Sequence, residues 1–333
     1  MKFAPFEKEI TMRQKTIIAA GLVAGSVILS GCALGGSAPS GVTAGSLAEV
    51  GDLSGAEVSV GGKEFTEQLI LCEVAAQALE STGATVSRSC GMSGTSSVRS
   101  ALLSGDIDMY WEYTGTGWIT HLGETDPIAD PQELYQAVTE RDEKANSVKW
   151  LEPSPANNTY AVAVSREKAE ELGTKTLSDY AALANSDPSK ATFCGAAEFF
   201  GRNDGWPGLQ ESYGFELPKN NVSELAAGAI YNSIDTAAPC VFGEVFATDG
   251  RIEALDLVVL EDDKKYFTPY NPAVSVRADV LEKTPALRDV LATVTEALDD
   301  QTLRKLNAKV DVDGGTPEET AKTWLVEKGF VGE

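Results

Sequence analysis

An α/β fold is what this sequence predicts, on three observations. Short β-rich runs alternate with stretches whose apolar residues recur at helical spacing, the pattern of helices layered on sheets. The chain has 333 residues, enough for two domains of ordinary size. An apolar fraction of 43% provides for their cores.

The first segment stands apart from that fold. Arg13 and Lys15 precede an apolar run over residues 17–29, the order of a secretory signal, and the run is too short to span a bilayer as a permanent helix. Its ending, Leu29-Ser30-Gly31-Cys32, resembles a bacterial lipobox, whose Cys is acylated and becomes the new N-terminus. Glu7 and Glu9 fit poorly ahead of a signal, so Met12 reads as the start. Residues 1–31 are therefore expected to be a lipoprotein-type signal peptide, and 32–55, mostly Gly, Ser and Ala, the lipidated Cys32 with a flexible tether.

The elements then follow in order. Residues 57–60 read as a strand. Phe65, Leu69, Cys72, Ala76 and Leu79 recur at steps of four and three and mark one helix face, closed by Gly83. Residues 85–89 form a strand, and Thr95 caps a short helix carrying Val98 and Leu102 to Gly105. Ile107, Met109 and Trp111 alternate along the next strand, which ends in a glycine loop. A helix over 131–146 and a strand over 148–151 lead to a proline-rich crossover at 153–158. A second α/β series runs from the strand 160–164 to about residue 260, with strands at 191–195 and 240–246. After Pro269 and Pro272 the strand 273–276 leads into helices, one with Leu287, Leu291, Val294 and Leu298 on a single face. The last opens on Thr316, Pro317 and Glu319, a capping box with proline at the first helical position.

Composition excludes several functions. The whole chain holds 27 Lys+Arg and 50 Asp+Glu; without residues 1–31, which carry four and two of these, 23 face 48, a formal charge of −25. Nucleic acid, which needs clustered cations, is not an expected partner. The single histidine, His121, rules out histidine-rich metal sites and reads as an ordinary surface or helix residue. No Gly-x-Ser-x-Gly elbow and no phosphate-binding glycine loop occur, so neither an enzyme nor a cofactor is expected. Cys72, Cys90, Cys194 and Cys240 remain after Cys32; an exported chain with an even count favours disulfides, and three pairings are open.

Six short stretches carry the functional reading. They are Val60-Gly-Gly-Lys63-Glu-Phe-Thr-Glu-Gln68, Asp106-Ile-Asp-Met-Tyr-Trp-Glu-Tyr-Thr-Gly-Thr116, Asn157-Asn-Thr-Tyr160, Gly201-Arg-Asn-Asp-Gly-Trp-Pro-Gly208, Phe246-Ala-Thr-Asp-Gly-Arg251 and Tyr266-Phe-Thr-Pro-Tyr270. In this order, over residue 56 to the C-terminus, they resemble the substrate-binding proteins of osmoprotectant ABC importers, the glycine betaine/carnitine/choline family. The resemblance implies a two-lobe periplasmic-binding-protein-like fold of type II with the ligand cleft between lobes. It divides the chain into 56–155 with 268–333 as one lobe and 156–267 as the other. On that layout Cys72–Cys90 and Cys194–Cys240 are the favoured disulfides, because each stays within one lobe.

The implied ligand explains the residue types. A quaternary ammonium donates no hydrogen bond and is held by the negative faces of aromatic rings, while a carboxylate calls for cations and donors. Carried over motif by motif, the aromatic cage is Tyr113, Tyr160, Phe246 and Tyr270, and the carboxylate clamp is Lys63, Thr116 and Arg202. Gly115 and Gly117 are expected to let the backbone approach the ligand, and Trp111 to buttress the cage from the strand face of Tyr113. Phe246 stands where the family has tyrosine, Gly62 where it has serine, Trp111 where proline is common and Trp206 where tyrosine is common; both tryptophans read as packing residues. The implied partners are a small zwitterionic or cationic solute, a permease with its ATPase, and the membrane through a lipid anchor. The protein is expected to act as a monomer on the extracytoplasmic face of the cell membrane. Two rivals remain: a receptor for another polar metabolite such as an amino acid, and an exported enzyme on the same scaffold.

Overall fold

The computed structural model describes residues 41–125 and 128–333. The expected signal peptide and the lipidation of Cys32 lie outside the described residues. Twelve strands are present among them: β1 (Thr43–Ala44), β2 (Glu57–Lys63), β3 (Thr85–Met92), β4 (Met109–Tyr113), β5 (Val148–Trp150), β6 (Tyr160–Ser165), β7 (Phe193–Gly195), β8 (Val222–Glu224), β9 (Phe242–Phe246), β10 (Leu257–Val259), β11 (Pro272–Arg277) and β12 (Val331–Gly332).

Two mixed five-stranded sheets organise the chain. The first runs β3-β2-β4-β11-β5 and the second β10-β6-β9-β7-β8, with β1 and β12 forming a separate antiparallel pair. The chain therefore leaves the first sheet after β5, completes the second, and returns as β11. Alternation along each strand gives every sheet two apolar faces. Val60, Met109, Trp111 and Val274 face the helix Thr66–Ser81 and the C-terminal helices, while Tyr110, Val148, Trp150 and Ala273 face the helices Thr95–Ser104 and Pro131–Asn146. In the second sheet Val162, Phe193 and Phe242 point one way and Ala161, Cys194 and Val245 the other. Disulfides join Cys72 to Cys90 and Cys194 to Cys240, each tying a single sheet to its own flank.

Four local expectations are corrected. Of the expected tether 32–55, the described part is built into the fold: β1 pairs with β12, and Leu47 and Leu53 are buried in the core. The Gly/Ser/Ala composition hides these two leucines, and Val50 between them is exposed. The helix Thr66–Ser81 is buried nearly all round rather than along one face, because it lies between the first sheet and the helix Pro317–Glu327. Thr95 is the first helical residue and Gly94 the cap. The glycine loop after β4 is helical, a turn at Thr114–Thr116 continued by a wider π-type turn over Gly117–His121.

Candidate functional site

Strand ends place the predicted rings. Lys63 ends β2, Tyr113 ends β4 and Phe246 ends β9, with Tyr160 at the start of β6 directly opposite Phe246. The carboxyl ends of parallel strands are where open α/β sheets bind ligands. A register shift between Gly61 and Lys63 re-aims the last residue of β2.

All four predicted cage rings belong to one aromatic row, and a fifth ring joins its halves. Tyr270 meets Tyr160 at 5.8 Å between centroids, and Tyr160 meets Phe246 at 5.4 Å. Phe65 then stacks on Phe246 at 6.0 Å and on Tyr113 at 6.2 Å. The pairing of β4 with β11, with Tyr113 opposite Pro272, places the segment that carries Tyr270 beside the end of β4. Sequence reasoning missed Phe65 by counting it on a helix face. It is instead the extended residue before the helix, with φ −87° and ψ 156°, which turns its ring toward the others. Its place two residues after Lys63, at a strand-to-helix junction, was the available signal.

The predicted cations flank the row at different points. Lys63 Nζ lies 5.3 Å from the Tyr113 ring centroid and the Arg202 guanidinium 5.7 Å from that of Tyr160. Neither is bare. Lys63 Nζ donates to Glu112 Oε1 at 2.6 Å, and Arg202 grips Asp204 through Nε at 2.9 Å and Nη2 at 2.7 Å. Tyr270 completes that second cluster, donating to Asp204 and accepting from Arg202 Nη2 at 2.9 Å. Burial opposes the charge on Arg202, but the bonds to Asp204 outweigh it and hold the guanidinium pKa above its ordinary value. Thr116 is buried within its helical turn.

Glu112 is fully buried beneath Tyr113. Burial pushes its carboxyl up, yet the charge of Lys63 and the contact with His121 Nε2 at 2.8 Å hold it well below the usual carboxylate range. His121, expected to be an ordinary surface or helix residue, lies in the helical turn Gly117–His121, but its side chain is only 3% exposed and serves this buried pair. Gly115 and Gly117, expected to admit a ligand, admit the protein's own rings. A Cβ at Gly115 would stand 2.8 Å from the Tyr270 ring, and one at Gly117 2.7 Å from that of Trp150. Trp111 and Trp206 are core residues, the latter stacked on Phe193 at 4.1 Å.

Between the sheets sits Glu67, 3% exposed. Its carboxyl accepts from Tyr113 OH and Asn158 Nδ2 at 2.8 Å each, Thr248 Oγ1 at 2.5 Å and Asn307 Nδ2 at 2.9 Å. Burial pushes its pKa up despite these four bonds. A cleft of about 310 Å³ opens here, with Phe65, Phe246, Glu67, Asn158, Thr248 and Arg251 in its walls.

Glu244, on β9, is a buried carboxyl close to Glu198 and Arg202 whose pKa is raised. Burial pushes it up to about 8, with the charge of Glu198 adding to the rise, against the bond from Ala196 N at 2.7 Å and the pull of Arg202. The folded state thus keeps a proton that the unfolded chain releases near 4.5, so this group's stabilising contribution is complete below that pH and lost as pH climbs to 8. Relative to Glu244→Gln, the wild type is expected to lose about 3–4 kcal/mol between pH 5 and 8. Urea melts of both proteins across that range check it, and parallel curves would refute it.

Comparison with known proteins follows the same lines. Residues 56–327 match the family described as the substrate binding domain of the ABC-type glycine betaine transport system. The chain is 37% identical over 273 residues to the glycine-betaine-binding protein of Pseudomonas aeruginosa, covering 80% of this chain and 86% of that one. It is 32% identical over 272 residues to the ergothioneine transport permease/ergothioneine binding protein EgtU of Helicobacter pylori, covering 81% of this chain and 47% of that longer one. The solved structure of apo YehZ from Escherichia coli superposes with a TM-score of 0.66 at 32% identity, over 82% of this chain and 99% of the other.

Proposed function

Because this chain belongs to the family of substrate-binding domains of ABC-type glycine betaine transport systems, we propose that it captures a quaternary-ammonium solute of the glycine betaine, choline or carnitine type and delivers it to an importer permease. The observation that carries this reading is the row of five rings drawn from both sheets, since negative ring faces are what a cation without N–H groups requires. Residues 56–155 with 268–333 form one lobe of the proposed receptor and 156–267 the other. Closure brings Tyr113, Phe65 and Tyr270 from the first against Tyr160 and Phe246 from the second. Lys63, Thr116 and Arg202 are the proposed carboxylate clamp, in which an incoming carboxylate competes with Asp204 for the Arg202 fork. We place the protein outside the cytoplasmic membrane, anchored through lipid on Cys32, as a monomer that hands its solute to a permease and ATPase on separate chains.

An amino acid is the weaker alternative. Its primary ammonium would need a free carboxylate among the rings, and the two carboxyls bonded to ring hydroxyls are both engaged, Glu67 by four hydrogen bonds and Asp204 by Arg202 and Tyr270. An enzyme on this scaffold would convert its bound solute, which mass spectrometry of the recovered ligand would reveal. Calorimetry with glycine betaine, choline, carnitine, proline betaine and ectoine tests the main reading. Saturable binding of at least one methylated ammonium is expected, and silence from all five at millimolar concentration would overturn it.

A further inference from the structure

Glu112 has no exposed surface, and each of its oxygens is held by two donors. Oε1 accepts from Lys63 Nζ at 2.6 Å and from the backbone N–H of Tyr113 at 2.8 Å. Oε2 accepts from Tyr110 OH at 3.0 Å and lies 2.8 Å from His121 Nε2. A carboxylate offers no hydrogen, so at this contact Nε2 carries the proton and donates it. The chain takes a wide π-type turn over Gly117–His121, a rare geometry that gathers at functional sites, to bring His121 back to a residue nine positions earlier.

Glu112 thus stands between His121 on one oxygen and Lys63 on the other. The Lys63 ammonium cannot leave Glu112 without uncovering a buried charge, so a solute carboxylate can share it only as far as other donors satisfy Glu112. A donor at Oε2 draws negative charge toward itself and away from Oε1, which loosens the hold on Nζ and uncovers part of its positive field. We propose that His121 is a positioning residue for the Lys63 end of the carboxylate clamp. By donating to Glu112 it leaves Lys63 able to grip a solute carboxylate, and so favours glycine betaine over a solute such as choline that lacks one. The inference rests on the clamp assigned above. Arg202 is held by Asp204 instead, so the effect is confined to one end of that clamp.

The readout is the ratio of glycine betaine to choline affinity, measured by calorimetry on the full chain, with choline followed by displacement of glycine betaine where it binds weakly. Both solutes carry the trimethylammonium that the rings would hold, and only glycine betaine has the carboxylate, so damage to the fold or the rings moves the two together. His121→Leu, which fills the space without donating, is expected to lower the ratio about fivefold, the part of one charged hydrogen bond passed on through the carboxylate. His121→Gln, whose amide can donate to Glu112, should hold it within about twofold of wild type. In Glu112→Gln, where Lys63 has lost its buried anion, the ratio should rise, and adding His121→Leu should change it no further. A ratio unchanged in folded His121→Leu, an equal fall in His121→Gln, or a full His121 effect in the absence of the Glu112 charge would overturn the proposal and leave the receptor reading intact. Choline binding without glycine betaine binding would overturn it together with the clamp, and binding of neither solute would count against the receptor reading itself.

Discussion

Tyr160→Ala is expected to weaken binding of the preferred methylated ammonium by roughly 30- to 100-fold, read by calorimetry well below the variant's unfolding midpoint. One ring face over a desolvated cation contributes about 0.5–2 kcal/mol. Tyr160 does more than supply one face, because it stands at the centre of the row. It touches Phe199 at 5.1 Å, Phe246 at 5.4 Å and Tyr270 at 5.8 Å, and the Arg202 guanidinium lies 5.7 Å from it. Removing it deprives Phe246 of its cross-strand neighbour and frees Tyr270 to turn, so a second face is weakened along with the first. At about 1.4 kcal/mol per decade the combined loss reaches the stated range. Tyr160→Phe keeps the ring and should stay within roughly threefold of wild type. Full affinity in the alanine variant would remove this residue from the site.

The sequence is legible where side-chain period and local turn chemistry agree, and opaque where tertiary packing decides. The α/β alternation is present because Met109, Trp111 and Tyr113 must share a strand face whatever they pack on. Tyr160 and Phe246 could be named from their motifs, but their register across β6 and β9 is a tertiary fact. Phe65 was misread because a residue just before a helix follows the period of that helix while its backbone is still extended. Lys63 and Arg202 could be recognised as cations within their motifs, yet nothing local says that Glu112 and Asp204 will neutralise them. His121 looked ordinary for the same reason, since its partner Glu112 reaches it only when the chain turns after β4. Leu47 and Leu53 show the reverse error, in which composition suggested a loose segment and two buried leucines held it down.

Neutralised cations change how selectivity should be understood. With Arg202 held by Asp204 and Lys63 by Glu112, the rings face no large net positive field. In the proposed site a solute's positive end would therefore meet the aromatic faces without a repulsive cost, and its negative end would gain only what it won in competition with Asp204 and Glu112. Affinity in the proposed site would come chiefly from the rings and from closure, which connects binding to whatever holds the two sheets together.

Glu67 is one group that joins them, beside the contacts of Tyr270 with Arg202 and of Phe65 with Phe246. Its four hydrogen-bond donors come from four separate places: Tyr113 at the end of β4, Asn158 in the first crossover, Thr248 just after β9, and Asn307 in the helix Asp300–Asp311. Asn307 Nδ2 also donates to the backbone oxygen of Thr248, and Arg304 Nε to that of Ala247, both at 2.9 Å, so the helix is tied twice to the segment that follows β9. Glu67→Ala leaves these donors facing a void. Each unsatisfied buried donor costs about 1–3 kcal/mol, partly offset because a buried carboxyl is no longer desolvated. A net loss of about 3 kcal/mol in urea unfolding is expected, most of it retained in Glu67→Leu, which fills the space without accepting a hydrogen bond. Glu67→Gln should lose only about 1 kcal/mol, since its oxygen still accepts and the two hydroxyls can turn to receive its amide. Solute affinity should fall about tenfold in the alanine variant as the Tyr113 ring loses its anchor, with the Gln variant close to wild type. If the alanine and leucine variants unfold within about 0.5 kcal/mol of wild type, surface-like behaviour, the carboxyl does not join the two sheets, and closure must be governed by the rings alone.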